Sequence, residues 1–357
     1  MKTLKYFLFS LLAILAASCD KGLDPINPVS PKSDKQDPTL VITSPVVGKP
    51  FVSSESIATL NVKLTATDDI ELQSIAFLMD GADAGTLTYF KDYRRAILTY
   101  PINDVGDGDH ILSVTVTDKT GKFVSQTVAF KKITAPPYTP ADKEVLYLPF
   151  DDNFLDLTSG TEVGVVGSPG FVDGKVNAAY AGAADSYVFI PSAGKVGDEF
   201  GLAFWYKVNA DPQRAGVFAI SPQGGTGTDE ERKFGIRMFR ENSGDKQNVG
   251  LNMGIGTTDV WMNPIVALPA GEGWVHIALS ITTTHAIAYV NGAVVAETDL
   301  VSKIDWTGCS NISMGSGQPN FVVWEHFADL SLYDELHLYT RAITAEEVAA
   351  LYNVKKK

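Results

Sequence analysis

In HILSVTVTD, Leu112, Val114 and Val116 alternate with Ser113, Thr115 and Thr117. That period of two is the pattern of a strand with one packed face and one wetted face. The β-branched runs LVITSP, ATLNVKLTATDD, LQSIAFLMDG and KFVSQTVAFKKI are punctuated by Gly, Asp and Pro. They predict a small two-sheet sandwich over 39–134. His110 shares the phase of Leu112 and is expected to plug a corner of it. TAPPYTPADK is rich in proline and marks a linker at 135–143. Beyond it come EVLYLPF, SYVFIP, FGLAFWYKV, GVFAIS, KFGIRMF, VGLNMGI, WVHIALSIT, HAIAYVNG, AVVAETDL, NISMGS and LSLYDELHLY. Asn291-Gly292 between two of these runs is a strong hairpin signal. About eleven strands over 144–357 predict a two-sheet jelly roll, so the fold class is all-β.

The last segment changes period. TAEE is a Thr-x-x-Glu capping box with Thr344 as N-cap and Glu347 reaching back, followed by a docking stripe of Val348, Leu351 and Tyr352. A short C-terminal helix is expected there.

At the other end, MKTLKYFLFSLLAILAASC has two lysines, an apolar run and then small residues. This is the pattern of an export signal over 1–18, too short and wrongly flanked for a membrane span. DKGLDPINPVSPKSDKQD has three prolines, with Pro38 just beyond, and no periodicity, so 19–38 is expected to be a flexible tether. The whole chain of 357 residues carries a formal charge of −13. Such a surface argues against nucleic acid as a partner. The cysteines are Cys19 and Cys309, with no Cys/His spacing of a zinc site. G-x-S-x-G, P-loop, His-Glu-x-x-His and Rossmann glycine patterns are absent from the sequence. SPQGGTGTDEE is glycine-rich without a strand-to-helix entry and is expected to be a mobile loop.

Asp334 and Glu335 are adjacent carboxylates in a strand-like run, and glycosidases use two carboxyl groups facing each other about 5–10 Å apart. Alternation sends strand neighbours to opposite faces, so no acid/base couple is expected here and no catalytic residue is assigned. Asp334 then shares the phase of Leu330, Leu332, Leu336 and Leu338. A carboxylate in that row needs backbone donors or a cation.

YLPFDDNFLDLTSG, DGKVNAAYAGAADSYVFIP, FGLAFWYKV, GWVHIALSI, AYVNGAVV and YDELHLYTRAITAEEVAALY stand in the order of laminin-G-like, concanavalin A-type jelly rolls. Residues 144–357 resemble that family throughout. Residues 39–134, with TATDD and VTVTDKTG after inner strands, resemble bacterial immunoglobulin-like domains. LAASC resembles the lipobox of bacterial lipoproteins, which implies a lipid anchor on Cys19. The whole arrangement resembles surface glycan-binding lipoproteins of Bacteroidota. The resemblance implies a polysaccharide or oligosaccharide partner, membrane contact through the lipid alone, an outer-membrane or cell-surface location, and a glycan-import complex as a further partner. It also implies a structural Ca²⁺ near Asp151 and Asp334, with Asp152 competing for the place of Asp151. Adhesion to a protein is the alternative role of the same domain, and glycoside hydrolase or lyase the third.

Alternation then selects glycan-binding candidates. In KFGIRMFRE, Phe234, Ile236 and Met238 are expected inward, leaving Arg237 and Phe239 outward. In VGLNMGI, Asn252 lies opposite Leu251 and Met253. In DVWMNP, Trp261 and Asn263 lie opposite Met262. Arg237, Asn252, Trp261 and Asn263 are expected to line one shallow surface. Trp306 and Trp324 fall outside the family-like motifs and join the candidates, whereas Trp205 and Trp274 are expected to be structural.

Overall fold

The computed structural model describes residues 34–223, 229–269, 271 and 273–354. The export signal, Cys19 with most of the tether, and the glycine-rich stretch from 224 to 228 lie outside the described residues. The chain forms two compact units, one of residues up to Phe51 with Ile57–Lys132, the other of Val52–Ser56 with Ile133 onward.

The first unit is a sandwich. One sheet runs in the order Thr39–Ser44, Ala58–Thr67, Arg95–Val105, and the other in the order Phe123–Thr134, Gly108–Asp118, Leu72–Met79, Ala82–Leu87. Val62, Leu64, Ile75, Phe77, Leu112, Val114 and Val116 meet between them. Alternation thus places every second residue in the core. His110 bonds Asp80 Oδ2 and the Gly106 carbonyl, both at 2.8 Å, and secures a loop to a strand.

The second unit stacks two larger sheets. Seven strands run in the order Gly164–Val166, Tyr187–Pro191, Cys309–Met314, Arg214–Pro222, Ile236–Ser243, Lys246–Gly254, Asp259–Pro269. The facing sheet runs Gly170–Asp173, Ala178–Ala181, Leu332–Tyr339, Phe200–Lys207, Val275–Ile281, His285–Val290, Ala293–Asp299, with Glu144–Leu148 also pairing Leu332–Tyr339. Leu146, Leu148, Phe204, Ile220, Met238, Leu251, Leu279 and Leu338 fill the space between.

One end of this core is closed by polar groups. Arg240 and Asp329 are fully buried, with Arg240 Nε donating to Asp329 Oδ1 at 2.9 Å. The hydroxyls of Tyr206 and Tyr333 donate to Asp329 Oδ2 at 2.7 and 2.6 Å. Every atom of that buried charge pair therefore meets a partner, which is the condition for tolerating it.

Helix Ala345–Tyr352 starts as its capping box requires. Glu347 N–H donates to Thr344 Oγ1 at 3.2 Å, and Thr344 N–H to Glu347 Oε2 at 2.8 Å. Val348 and Leu351 pack on Ala203, Ala278 and Tyr339 of the outer sheet face, and Tyr352 stacks on Trp205.

Candidate functional site

The outer face of the seven-stranded sheet carries the site. On Ile236–Ser243, Lys246–Gly254 and Asp259–Pro269, the residues Ile236, Met238, Leu251, Met253 and Met262 point to the core. Register then sets Arg237 beside Asn252 and Asn252 beside Trp261, Phe239 beside Gly250, and Arg214 beside Glu241 on the outer face. Glycine at position 250 is required by crowding: a Cβ there would come to 2.6 Å from the Phe239 ring and 2.8 Å from Asn263 Oδ1.

A segment with no strand period lies over part of this face. Gly317 rests directly on Gly216, where any Cβ would collide with the Gly317 backbone. Gly216 N–H donates to the Phe327 carbonyl at 3.0 Å and Asp329 N–H to the Gly315 carbonyl at 2.8 Å, fixing both ends. Within it the 3₁₀ turn Phe321–Trp324 sets Phe321 against Phe239, with ring centroids 5.8 Å apart.

Between this segment and the sheet is a recess of about 220 Å³. Trp261 forms one wall and is 41% exposed. Its Nε1–H donates to Asp259 Oδ2 at 2.9 Å, and its ring meets Phe239 edge-on at 5.9 Å. The Arg232 guanidinium lies 5.6 Å from the Trp261 ring and 5.9 Å from that of Trp324, while Arg232 Nε donates to Asp259 Oδ2 at 3.1 Å. Asn263, exposed, brings a carboxamide to the rim.

Opposite them, Glu241 is paired with Arg214 and with His326 Nε2, the latter at 3.0 Å. The His326 ring is stacked on Phe321 at 5.3 Å. Burial pushes this imidazole down to about 4 against the pull of Glu241, so it is neutral at pH 7 and donates its Nε2–H to the carboxylate. For Glu241, burial acts to raise the carboxyl, but the hydrogen bond and charge of Arg214, with the hydrogen bond from His326, outweigh it and hold the group below the ordinary value.

Of the sequence candidates, Trp261, Asn263 and Trp324 meet at this recess. Arg237 and Asn252 do not line it, contrary to expectation: both are fully buried beneath it. Arg237 donates to Asn252 Oδ1 at 2.8 Å and to the carbonyls of Arg232, Phe234 and Glu231. The reason is that the turn at Asp229–Lys233 folds back over the outer sheet face and turns an outward position into an interior one. Burial lowers Arg237 to about 10, still cationic at neutral pH, and its role is to hold the turn that presents Arg232. Trp306 lies elsewhere, packed on Phe200 with Nε1–H donating to the Gly197 carbonyl at 2.8 Å. Arg214, Arg232, Glu241, Phe321 and His326 were missed by the sequence reading. Three of them sit in aperiodic segments, where no pattern marks a face.

Residues 182–349 match the profile of the concanavalin A-like lectin/glucanases superfamily. This second unit carries a concanavalin A-like jelly-roll domain. Among solved structures, the chain is similar to domain 4 of AbnA, a GH43 extracellular arabinanase from Geobacillus stearothermophilus, in complex with arabinotriose. The identity is 18%, over 59% of this chain and 98% of that one, with a TM-score of 0.46. It is also similar to the binding domain of Paraclostridial Mosquitocidal Protein 1, at 15% identity, over 59% of this chain and 52% of that one, with a TM-score of 0.44. A third is the binding domain of Botulinum Neurotoxin DC in complex with SialylT, at 11% identity, over 59% and 51%, with a TM-score of 0.43. The chain thus spans about half the length of those two toxin binding domains. No curated protein sequence matches it.

The jelly-roll domain also holds the acid pair singled out at first, and here alternation fails. Glu335 has φ +51°, and the register against Phe200–Lys207 slips between Ala203 and Trp205. This bulge keeps Tyr333, Leu336 and Leu338 in the core and places Asp334 and Glu335 both on the outer face, where opposite faces were expected. Both are buried and bound to separate partners. Asp334 Oδ2 accepts from Val176 N–H at 2.9 Å, and Glu335 Oε2 accepts from the Tyr147 hydroxyl at 2.8 Å.

Asp151 lies by the same loop, accepting from Asn177 Nδ2 at 3.1 Å and Ala178 N–H at 3.3 Å, while Asp152 is exposed. Burial raises Asp151, and it raises Asp334 to about 8, with the charges of Glu335 and Asp151 adding to the effect. Asp334 Oδ1 is buried with no partner among the described residues. A hard cation that takes oxygen ligands suits such a set, with carbonyls as the remaining donors. Among the described residues no group of three or more His, Cys, Asp and Glu is placed for a metal, so two carboxylates and backbone oxygen are what the chain offers.

Proposed function

We propose that the jelly-roll domain binds a polysaccharide or oligosaccharide in the recess at Trp261, without cleaving it. The observation that carries this is the Trp261 indole: much of it is in solvent, yet its plane is locked by the bond to Asp259. A flat, immobilised indole stacks on the apolar C–H face of a sugar at little entropic cost, and the Asn263 amide is placed for the hydroxyl rim.

The non-catalytic part of the reading rests on Glu241. A glycosidase acid needs a raised pKa and a second carboxylate across the bond. Glu241 is held down by Arg214 and His326, and is the one carboxylate among the described lining residues.

Asp151 and Asp334 would hold a Ca²⁺ that neutralises Asp334 and fixes the 174–178 loop, away from the recess. A lipid on Cys19, an outer-membrane or cell-surface location and membership of a glycan-import complex complete the proposal, supported by the sequence of the leader and tether.

Affinity gels cast with plant, fungal and host polysaccharides, run with and without chelator, test it. Retention on at least one gel, lost in Trp261→Ala, is expected. A wild-type protein that migrates freely on all of them favours a protein ligand and ends the carbohydrate reading.

A further inference from the structure

The outer face of a jelly-roll sheet can be an open trough that takes several sugar units in a row. Here it is obstructed. The Gly315–Asp329 segment is seated on Gly216 and carries Phe321 and Trp324 over the strands. Arg232, placed by the buried Arg237, stands between that segment and the strands, 5.6 Å from the Trp261 ring and 5.9 Å from that of Trp324. The half-open recess, about 220 Å³, is below the ~300 Å³ at which pockets for drug-sized ligands begin.

The charges bordering this space are spoken for. Arg232 is paired with Asp259, Arg214 with Glu241 and, at 3.7 Å, with Glu325, and His326 is neutral against Glu241. A carboxylated or sulfated sugar would have to break one of these pairs, whereas a neutral ring needs only the indole face and the Asn263 amide.

We infer that the recess takes a single neutral sugar ring, at the end or on a side branch of a glycan, and does not thread the interior of a linear polymer. This deepens the proposed carbohydrate binding and rests on it. The segment at 315–329, with Arg232 bridging its Trp324 to Trp261, is the stop that blocks passage of a chain along the face.

Calorimetric titration of the full chain with oligosaccharide ladders decides the matter. The probes are gluco-, manno-, xylo- and arabino-series from monosaccharide to hexasaccharide, with a galacturonate series as the anionic counterpart. Affinity is expected to reach its plateau by the disaccharide, to change by less than about threefold from there to the hexasaccharide, to be insensitive to salt, and to disappear in Trp261→Ala. Affinity that climbs tenfold or more between disaccharide and hexasaccharide refutes the single-ring site while leaving carbohydrate binding intact. Preference for the galacturonate series refutes neutrality in the same way. Binding that survives Trp261→Ala places the sugar elsewhere and refutes the inference, and no binding by any series removes both it and the reading beneath it.

Discussion

Trp261 donates its indole N–H to the carboxylate of Asp259, two residues earlier on the same strand face, and that one oxygen also accepts from Arg232 Nε and Asn252 Nδ2. A single acid thereby orients an aromatic wall, a cation beside it and the buried amide below.

Binding to the retaining polysaccharide should separate these parts. Trp261→Ala removes the stacking face and is expected to weaken binding by tenfold or more, at a stability cost of about 1–3 kcal/mol because more than half of the indole surface is buried. Asp259→Asn keeps the shape but loses the charge that holds Arg232, so a smaller loss is expected. Equal losses from the two substitutions, read by titration, would remove the distinction.

Acid should destabilise the second unit through His326. Its folded pKa of about 4 lies below the unfolded value of 6.5, so between those values the unfolded chain binds the extra proton and stability falls as pH drops. Glu241, lowered by Arg214 and His326, contributes in the same direction below its unfolded value of 4.5. Urea midpoints measured at pH 7 and pH 5 should differ, and His326→Gln should flatten that difference. Parallel pH profiles would assign the slope to other groups.

Asp334 has the opposite sign. Its folded value of about 8 lies above the unfolded 3.8, so its contribution is greatest below 3.8 and is lost as pH rises toward 8. Without divalent cations, Asp334→Asn is expected to gain stability over the wild type at pH 8 and little at pH 4. Adding Ca²⁺ should raise the melting temperature of the wild type and not of the variant. A wild type unmoved by Ca²⁺ leaves Asp334 as a protonated, hydrogen-bonded acid.

Asp329 gathers Arg240, Tyr206, Tyr333 and Ser331 in a fully buried cluster. Asp329→Ala strands the Arg240 charge, and a loss of about 3–5 kcal/mol in denaturant unfolding is expected. A loss under about 1 kcal/mol would mean that water replaces the carboxylate.

What the linear text determined was the all-β class, the two strand-rich regions, and the capped helix with its docking stripe. It also determined which faces of the regular strands are core. Alternation and local capping are short-range rules, and they hold wherever a strand is regular and its outer face meets solvent. They stop at Glu335, where a left-handed residue shifts the phase, and at Arg237 and Asn252, where a distant turn covers an outward face. The recess itself was legible in Phe239, Trp261 and Asn263, as outward positions, and in Trp324, as a residue. Its closure by Arg232, Phe321 and His326 comes from aperiodic segments, whose positions depend on close backbone approaches at Gly216 and Gly250 and on buried polar partners. Those contacts link residues up to about a hundred positions apart, and no local pattern encodes them.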